Sequence, residues 1–312
     1  MTIPRTKGFG MMRIDAFWDG KTFKFVEINS DYPEGVVISQ RCFDTYDRVM
    51  TKYKLIPKEY VWPLDNVMLF YQNMMTQYIM NGGKKKKPTI AIVGPKDRLF
   101  ITEYNLLNKY FISKGHKSFL VTLNDLKNDK VGYLIYKGNR IDILRRAGEI
   151  RHFKKGKYCE RFFKSYRNKK LFVMNTLHDR LIGIKSLFAI LFDKNYQYLF
   201  TKKEKEVIRN NVPKTFLINS KKEIKRKYLV NKNRYVMKPS DLSEGIKLMI
   251  GSSTSQKKWD KEINNSSYRK VLQEKINIKK RPVVEIKEGK KIVKLLYTDI
   301  NTHSFMSRSG KF

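Results

Sequence analysis

The segment Pro88-Thr-Ile-Ala-Ile-Val-Gly94 is a short apolar run closed by glycine, too brief for a helix, and it reads as a buried strand. A helix follows over about 98–114, with apolar residues at 99, 100, 106, 107, 110 and 111. Gly115 ends that helix, and Ser118-Phe-Leu-Val121 is the next strand. Strand, helix, glycine, strand is a βαβ unit, which demands a parallel sheet. Tyr133-Leu-Ile-Tyr136 and Ile141-Asp-Ile-Leu144 flank a Gly138-Asn139 turn and read as a hairpin, with Arg145-Arg146 after it. A further strand at 171–174 leads through Asn175 into a helix expected over 181–192.

The chain on either side has a different texture. Helical spacing runs over 36–53, ending near Pro57, and again over 64–80, before Asn81-Gly-Gly83 and the lysine run at 84–87 interrupt it. Beyond a helix at 203–210 and Val212-Pro213, the pattern becomes strand, polar loop, strand over 234–251. A short helix at 257–263 and strands at 268–276, 282–287 and 291–297 follow. That order predicts an antiparallel α+β region. The expected organisation is three segments, 1–87, 88–180 and 181–312, with no internal repeat.

The chain's 312 residues suffice for a sizeable core, and 41% hydrophobic with 13% aromatic content fits a folded protein. Sixty-six basic against 29 acidic residues give a net charge of +37, which favours anionic partners or substrates. The lysines are spread throughout, and local runs such as 84–87 and 221–227 also suit ordinary solvated faces. Cys42 and Cys159 have no partner spacing, so neither a disulfide framework nor a zinc site is indicated. With no signal peptide and no apolar run longer than 187–192, the expectation is a cytoplasmic protein with no membrane partner. The oligomeric state is not legible.

The richest chemistry is at the start. Two β-prone runs flank Asp19-Gly20, from Met12-Arg-Ile-Asp15 to Glu27-Ile-Asn29, and signal a hairpin. A three-residue loop, 19–21, would set 15 against 25 and 13 against 27, placing Arg13, Asp15, Glu27 and Asn29 on one face; a two-residue loop would divide them between faces. Two carboxylates and an amide offer hard oxygens to Mg²⁺, and a guanidinium beside them suits a phosphate. An amphipathic hairpin with one solvated face explains the same alternation without any ligand.

Two later stretches are weaker signals. In Val236-Met-Lys-Pro-Ser-Asp241, a lysine closes an apolar strand before a polar loop, an arrangement that can hold phosphate. In Tyr268-Arg-Lys-Val-Leu-Gln-Glu274, two polar residues interrupt a strand and could meet a nucleotide edge. Phosphate-binding glycine loops of the P-loop and dinucleotide type are absent, as is a Gly-x-Ser-x-Gly elbow, and the histidines at 116, 152, 178 and 303 are scattered.

Taken in chain order, Arg-x-Asp, then Glu-x-Asn, the βαβ region, the 175–185 segment, Val-Pro-Lys-Thr-Phe216, Val-Met-Lys-Pro-Ser-Asp with Gly251, and Leu-Gln-Glu resemble the circularly permuted ATP-grasp enzymes, the group of glutathionylspermidine synthase-like proteins. In ordinary ATP-grasp chains the Arg-x-Asp and Glu-x-Asn strands come last, whereas here they come first. The resemblance implies an ATP-grasp fold, α+β with α/β, flanked by a Rossmann-like parallel domain over 88 to about 175. It implies Asp15, Glu27 and Asn29 as Mg²⁺ ligands, Arg13 on the transferred phosphate, Lys185 and Lys238 on ATP phosphates, and Gln273 and Glu274 at the nucleotide edge. The implied activity joins a small-molecule or peptide carboxylate to an amine through an acyl phosphate. The sequence departs from that pattern in having Leu242-Ser243-Glu244 and Lys247 where the family's loop is rich in glycine, and in a short stretch before Asp15 that leaves a trimmed or a minimal version of the family open. The alternatives are a nucleotide-binding protein without ligase activity and a basic nucleic-acid-binding protein; nucleic acid is the less favoured partner, because that reading needs a continuous basic face.

Overall fold

The structure is a computed structural model that describes residues 7–54, 64–94, 101–148, 157–218, 228, 230–242, 245, 247–288 and 290–305. Pro57, His152, the basic run 221–227, the start of the helix expected from 98, and positions 243, 244 and 246 of the loop after Lys238 lie outside them. The chain forms two compact units: 1–13 with 29–180 and 303–312, and 14–28 with 181–302.

The first unit is built on a parallel sheet. Strands β3 (Ile90–Val93), β4 (Ser118–Val121), β8 (Ile143–Arg146) and β9 (Phe172–Met174) lie in the order β4-β3-β8-β9, all parallel. Both faces are covered, so β3 is buried at every position, as its unbroken Ile-Ala-Ile-Val requires. Ile90 and Ile92 pack with α1 (Val36–Lys52), α2 (Asn66–Met80) and α3 (Ile101–Ser113) around Phe70, Met74 and Phe111. Ala91 and Val93 face the opposite cluster with Val121, Leu144 and Phe162 of α4 (Lys157–Arg167). The predicted βαβ unit is thus present.

Asp65 caps α2 by accepting from Met68 N at 2.8 Å, and Gly35, at φ +102, opens α1 while its N–H donates to the Glu103 carboxylate at 2.9 and 3.0 Å. His116 is structural: Nδ1 meets Pro88 O at 2.9 Å, Nε2 meets Tyr71 Oη at 2.9 Å, and burial lowers its pKa.

One expected hairpin is corrected. Strand β6 (Leu134–Tyr136) pairs with β7 (Asn139–Arg140) and, on its other side, with β5 (Lys127–Asn128), while Ile143 leaves that ribbon for the parallel sheet. The strand includes Arg145 and Arg146, both buried, because backbone carbonyls receive their guanidinium donors. Arg145 donates to Pro33 O at 2.6 Å, and Arg146 donates to Asn175 O at 2.7 Å while pairing with Asp31 at 2.6 Å. The helix expected over 181–192 is also divided, into α5 (Asp179–Ile182) and α6 (Ser186–Ile190), with Gly183 between them. The break frees the Lys185 N–H to donate to Ser240 O at 2.9 Å.

The second unit contains the antiparallel sheet β10 (Thr215–Ile218), β13 (Lys270–Glu274), β11 (Tyr235–Pro239) and β12 (Met249–Ile250), in that order. Its core face carries Ile218, Tyr235, Met237 and Leu272 against Trp259 and Ile263 of α8 (Gln256–Ile263). Lys270, on this face, is buried because its ammonium caps the end of α8, donating to Glu262 O at 2.7 Å and to Asn265 O. The unit also includes α7 (Lys202–Asn211), whose Thr201–Glu204 capping box fixes its start, and the ribbon β14 (Arg281–Lys287) with β15 (Lys290–Leu296). Strands β1 (Met12–Trp18) and β2 (Phe23–Asn29) form the expected hairpin, in a three-stranded sheet ordered β16-β1-β2 with β16 (Asp299–Ser304). Among the described residues no helix is long and apolar enough to cross a membrane, and both cysteines are free.

Candidate active site

Strand alternation decides which side chains of the antiparallel sheet can act together. Thr215 and Val236 both stand opposite Gln273, and Lys238 stands opposite Val271, so Thr215, Gln273 and Lys238 share the face turned away from Trp259. They are joined in a row: Lys238 Nζ donates to Gln273 Oε1 at 2.8 Å, and Gln273 Nε2 donates to Thr215 Oγ1 at 3.2 Å. Glu274 points the other way by the same alternation. Its backbone N–H donates to Lys214 O at 2.8 Å, so of the two polar residues expected at the nucleotide edge only Gln273 joins Lys238.

Lys238 is 8% exposed. Its ammonium also donates to Val26 O of β2 at 3.3 Å, which brings the hairpin to this face within the second unit. Burial lowers its pKa to about 8; the carboxylates of Glu27 and Asp15 oppose that shift, and the Lys185 ammonium adds to it. Lys185 itself, presented by the break between α5 and α6, pairs with Glu27 at 2.6 Å and donates to Leu242 O at 2.8 Å. Four of the residues picked from sequence, Asp15, Glu27, Lys185 and Lys238, therefore act on one another. The partners Thr215, Val26 O and Leu242 O escaped the sequence reading. Only Thr215 carries a signal, as the polar member of the Val-Pro-Lys-Thr-Phe216 strand.

The turn of the hairpin differs from expectation. Asp19 N donates to Thr22 O at 3.2 Å, closing a two-residue loop of Gly20 and Lys21 rather than a three-residue one. The cause is local: Asp19 Oδ1 accepts from Lys21 N at 2.8 Å and Thr22 N at 2.9 Å, which lowers its pKa, and Gly20 takes φ +103. Trp18 and Phe23 beside the loop meet with centroids 5.0 Å apart and ring planes tilted by 60°. Counted outward from this turn, ideal alternation sets Asp15 against Val26, so the shared face inferred from a longer loop does not follow. What unites the two carboxylates is their common action on Lys238.

Arg13 and Asn29 belong to the first unit. Arg13 Nη1 donates to Glu34 O at 3.3 Å. The chain ends beside them are tied by buried Asn175, held at φ +55, whose Nδ2 donates to Met11 O at 2.7 Å and Ser30 O at 2.8 Å. A Cβ on Gly10 would meet that amide at 2.5 Å, so only glycine fits there. Of the C-terminal polar residues, Arg281 lies over the Trp18 ring at 5.9 Å, Glu285 pairs with Lys294, and His303 meets Glu34 O at 3.2 Å.

Among the described residues no three His, Cys, Asp or Glu side chains gather to form a metal site by themselves. The donor set still suits Mg²⁺, which is commonly held by one or two carboxylates together with substrate phosphates rather than by an all-protein cage. Glu27 is paired with the Lys185 ammonium at 2.6 Å, so a metal ion there would take the place of that cation.

No protein-family model and no curated protein sequence matches the chain. Among solved structures, it matches a glutathione synthetase-like effector from Globodera pallida, in its apo form, over 93% of the chain with a TM-score of 0.61 and 14% identity. The match covers 65% of that protein, so the chain spans somewhat less than two thirds of its length. A protein provisionally described as a gamma-glutamylcysteine synthetase, from Methylobacillus flagellatus, aligns over 87% of this chain and 69% of its own, with a TM-score of 0.47 and 8% identity. The fold, a mixed α/β architecture with a parallel sheet, is shared with the Globodera protein.

Proposed function

We propose that this chain is an ATP- and Mg²⁺-dependent ligase of the circularly permuted ATP-grasp kind that joins a carboxylate to an amine. The observation that carries the reading is the Lys238, Lys185, Glu27 and Asp15 constellation, two cations and two carboxylates beside one face of an antiparallel sheet. The fold shared with a glutathione synthetase-like effector supports it.

In this scheme Lys238, whose pKa burial holds near 8, takes up full charge as a triphosphate replaces its neutral partners, and so binds phosphate oxygen in a site of low dielectric. Lys185 exchanges Glu27 for a phosphate oxygen and leaves the carboxylate free. Asp15 and Glu27 would hold Mg²⁺, which supplies electrophilic polarisation of the phosphoryl group when bound. Gln273, fixed by Thr215 and Lys238, would present its amide to the nucleotide. A substrate carboxylate oxygen attacks the γ-phosphorus and ADP departs. The amine nitrogen then attacks the acyl carbon, losing a proton as phosphate leaves.

The test is ADP release from ATP and Mg²⁺ across a panel of amino acids, short peptides and amines. The reading expects release that needs both a carboxylate and an amine. ATP turnover indifferent to both would overturn it.

A further inference from the structure

The second unit contains a cavity of about 920 Å³ between the hairpin turn, the face of α7 that carries positions 205, 208 and 209 with Val212 just past its end, and the chain leaving β13. Its wall is unlike the rest of the molecule. Eight of its eighteen lining residues are Lys or Arg, against 66 of 312 in the whole chain, and two are acidic. General basicity therefore accounts for about half of these eight cations, and the rest are an excess particular to the cavity. Lys205 and Arg209 project from successive turns of α7, Lys214 and Lys275 flank the neighbouring strand ends, and Phe192, Ile208 and Val212 supply an apolar floor.

Little of this charge is neutralised by the protein. Among the described residues the ion pair in the wall is Lys24 with Asp19 at 3.5 Å. The Asp19 carboxylate is largely consumed by its own turn. Lys275 spends its ammonium on Ser252 Oγ at 2.8 Å, and Lys214 sits over the Phe216 ring at 5.6 Å. A concave surface with so many like charges focuses a strong positive potential, and an anionic occupant relieves the repulsion.

The nucleotide of the proposed reaction does not explain these cations. Its triphosphate belongs with Lys185 and Lys238, neither of which lines the cavity; Glu274, at the implied nucleotide edge, does line it, but an adenosine end reaching it is uncharged and leaves the eight cations unmatched. The volume suits a small molecule rather than a nucleic-acid duplex. We propose that the cavity is a second ligand site, for a multiply phosphorylated small molecule, distinct from the Lys185 and Lys238 phosphate site.

The probe is inositol hexakisphosphate, titrated calorimetrically into the full chain at two salt concentrations. Four proteins are compared: the parent, Lys205→Gln/Arg209→Gln/Lys214→Gln, the charge-matched control Lys84→Gln/Lys86→Gln/Lys130→Gln, and Lys238→Met. Glutamine keeps helix propensity at Lys205 and Arg209, the other replaced lysines are exposed and outside helices, and thermal unfolding verifies each fold. Each lost cation is expected to weaken binding roughly three- to tenfold, so the cavity triple variant should lose about a hundredfold, while the control and Lys238→Met stay within threefold of the parent. Binding weakened equally by the control shows mere bulk charge and overturns the proposal. Binding lost in Lys238→Met, or displaced by saturating Mg–ATP, places the anion in the phosphate site and overturns it too. Failure of ATP to bind the parent would count against the ligase reading alone and leave these comparisons intact.

Discussion

Replacing Lys238 by methionine separates what this lysine does for the fold from what it does for a ligand. The unfolded lysine keeps its proton to about pH 10.5, the folded one only to about 8. Between those values the unfolded chain binds more protons, so the lysine's burial penalty is at full strength below pH 8 and fades as pH rises towards 10.5. The full penalty corresponds to ~3 kcal/mol of lost stability at neutral pH, an order-of-magnitude figure. Methionine removes it but abandons the 2.8 Å hydrogen bond to Gln273 Oε1, which costs ~1–3 kcal/mol in a buried site. The two effects nearly cancel at pH 7, so the net change there is small. The pH dependence does not cancel. Urea unfolding of both proteins at pH 7, 9 and 10 should show the parent gaining on Lys238→Met by ~1 kcal/mol at pH 9 and ~2–3 kcal/mol at pH 10. The exposed lysines and tyrosines titrate alike in both and drop out of the difference. In the same proteins ATP affinity should fall at least tenfold in the variant. Parallel stability profiles would refute the burial argument.

Three further outcomes follow from named contacts. Lys185→Met removes the ammonium 2.6 Å from Glu27, so Mn²⁺ used as a Mg²⁺ probe should bind more tightly without nucleotide while ATP binds more weakly, both by calorimetry. Arg146→Met takes the cation from beside the buried Asp31 carboxylate and should cost ~3–5 kcal/mol in urea unfolding. Trp259→Ala empties the fully buried centre of the second unit's core and should cost ~3–5 kcal/mol by the same measurement.

The parts of the fold legible in the sequence were those set by local pattern. The unbroken apolar run at 90–93 could satisfy its neighbours only in a sheet covered on both faces. The helix expected over 203–210 is α7, whose start the Thr201–Glu204 capping box fixes. What failed depended on distant partners. No local rule makes Arg145 and Arg146 part of a buried strand; the carbonyls of Pro33 and Asn175 do, from more than twenty residues away in sequence. The hairpin loop length turned on a single side chain, because Asp19 folded back onto two backbone N–H groups and shortened the loop by one residue. At the site, Lys238 was recognisable at the end of its strand, but its low pKa reflects enclosure by β2 and Lys185, which sequence spacing cannot convey. The separation of Gln273 from Glu274 was available in principle, since neighbours in a strand face opposite ways, once the strand itself was accepted. The basic cavity was not available at all: its wall joins the hairpin turn, α7 and the end of β13, segments far apart in the sequence whose motifs say nothing of a shared cavity.

The central claim, that Glu27 and its neighbours form a Mg²⁺-nucleotide site, is tested most directly by titrating ATP into the parent and into Glu27→Gln, each with and without Mg²⁺. The account predicts that Mg²⁺ tightens ATP binding at least tenfold in the parent and has little effect in Glu27→Gln, which keeps the side chain's shape but loses the charge. ATP binding that is indifferent to Mg²⁺ in the parent, or equally Mg²⁺-dependent in both proteins, would contradict it.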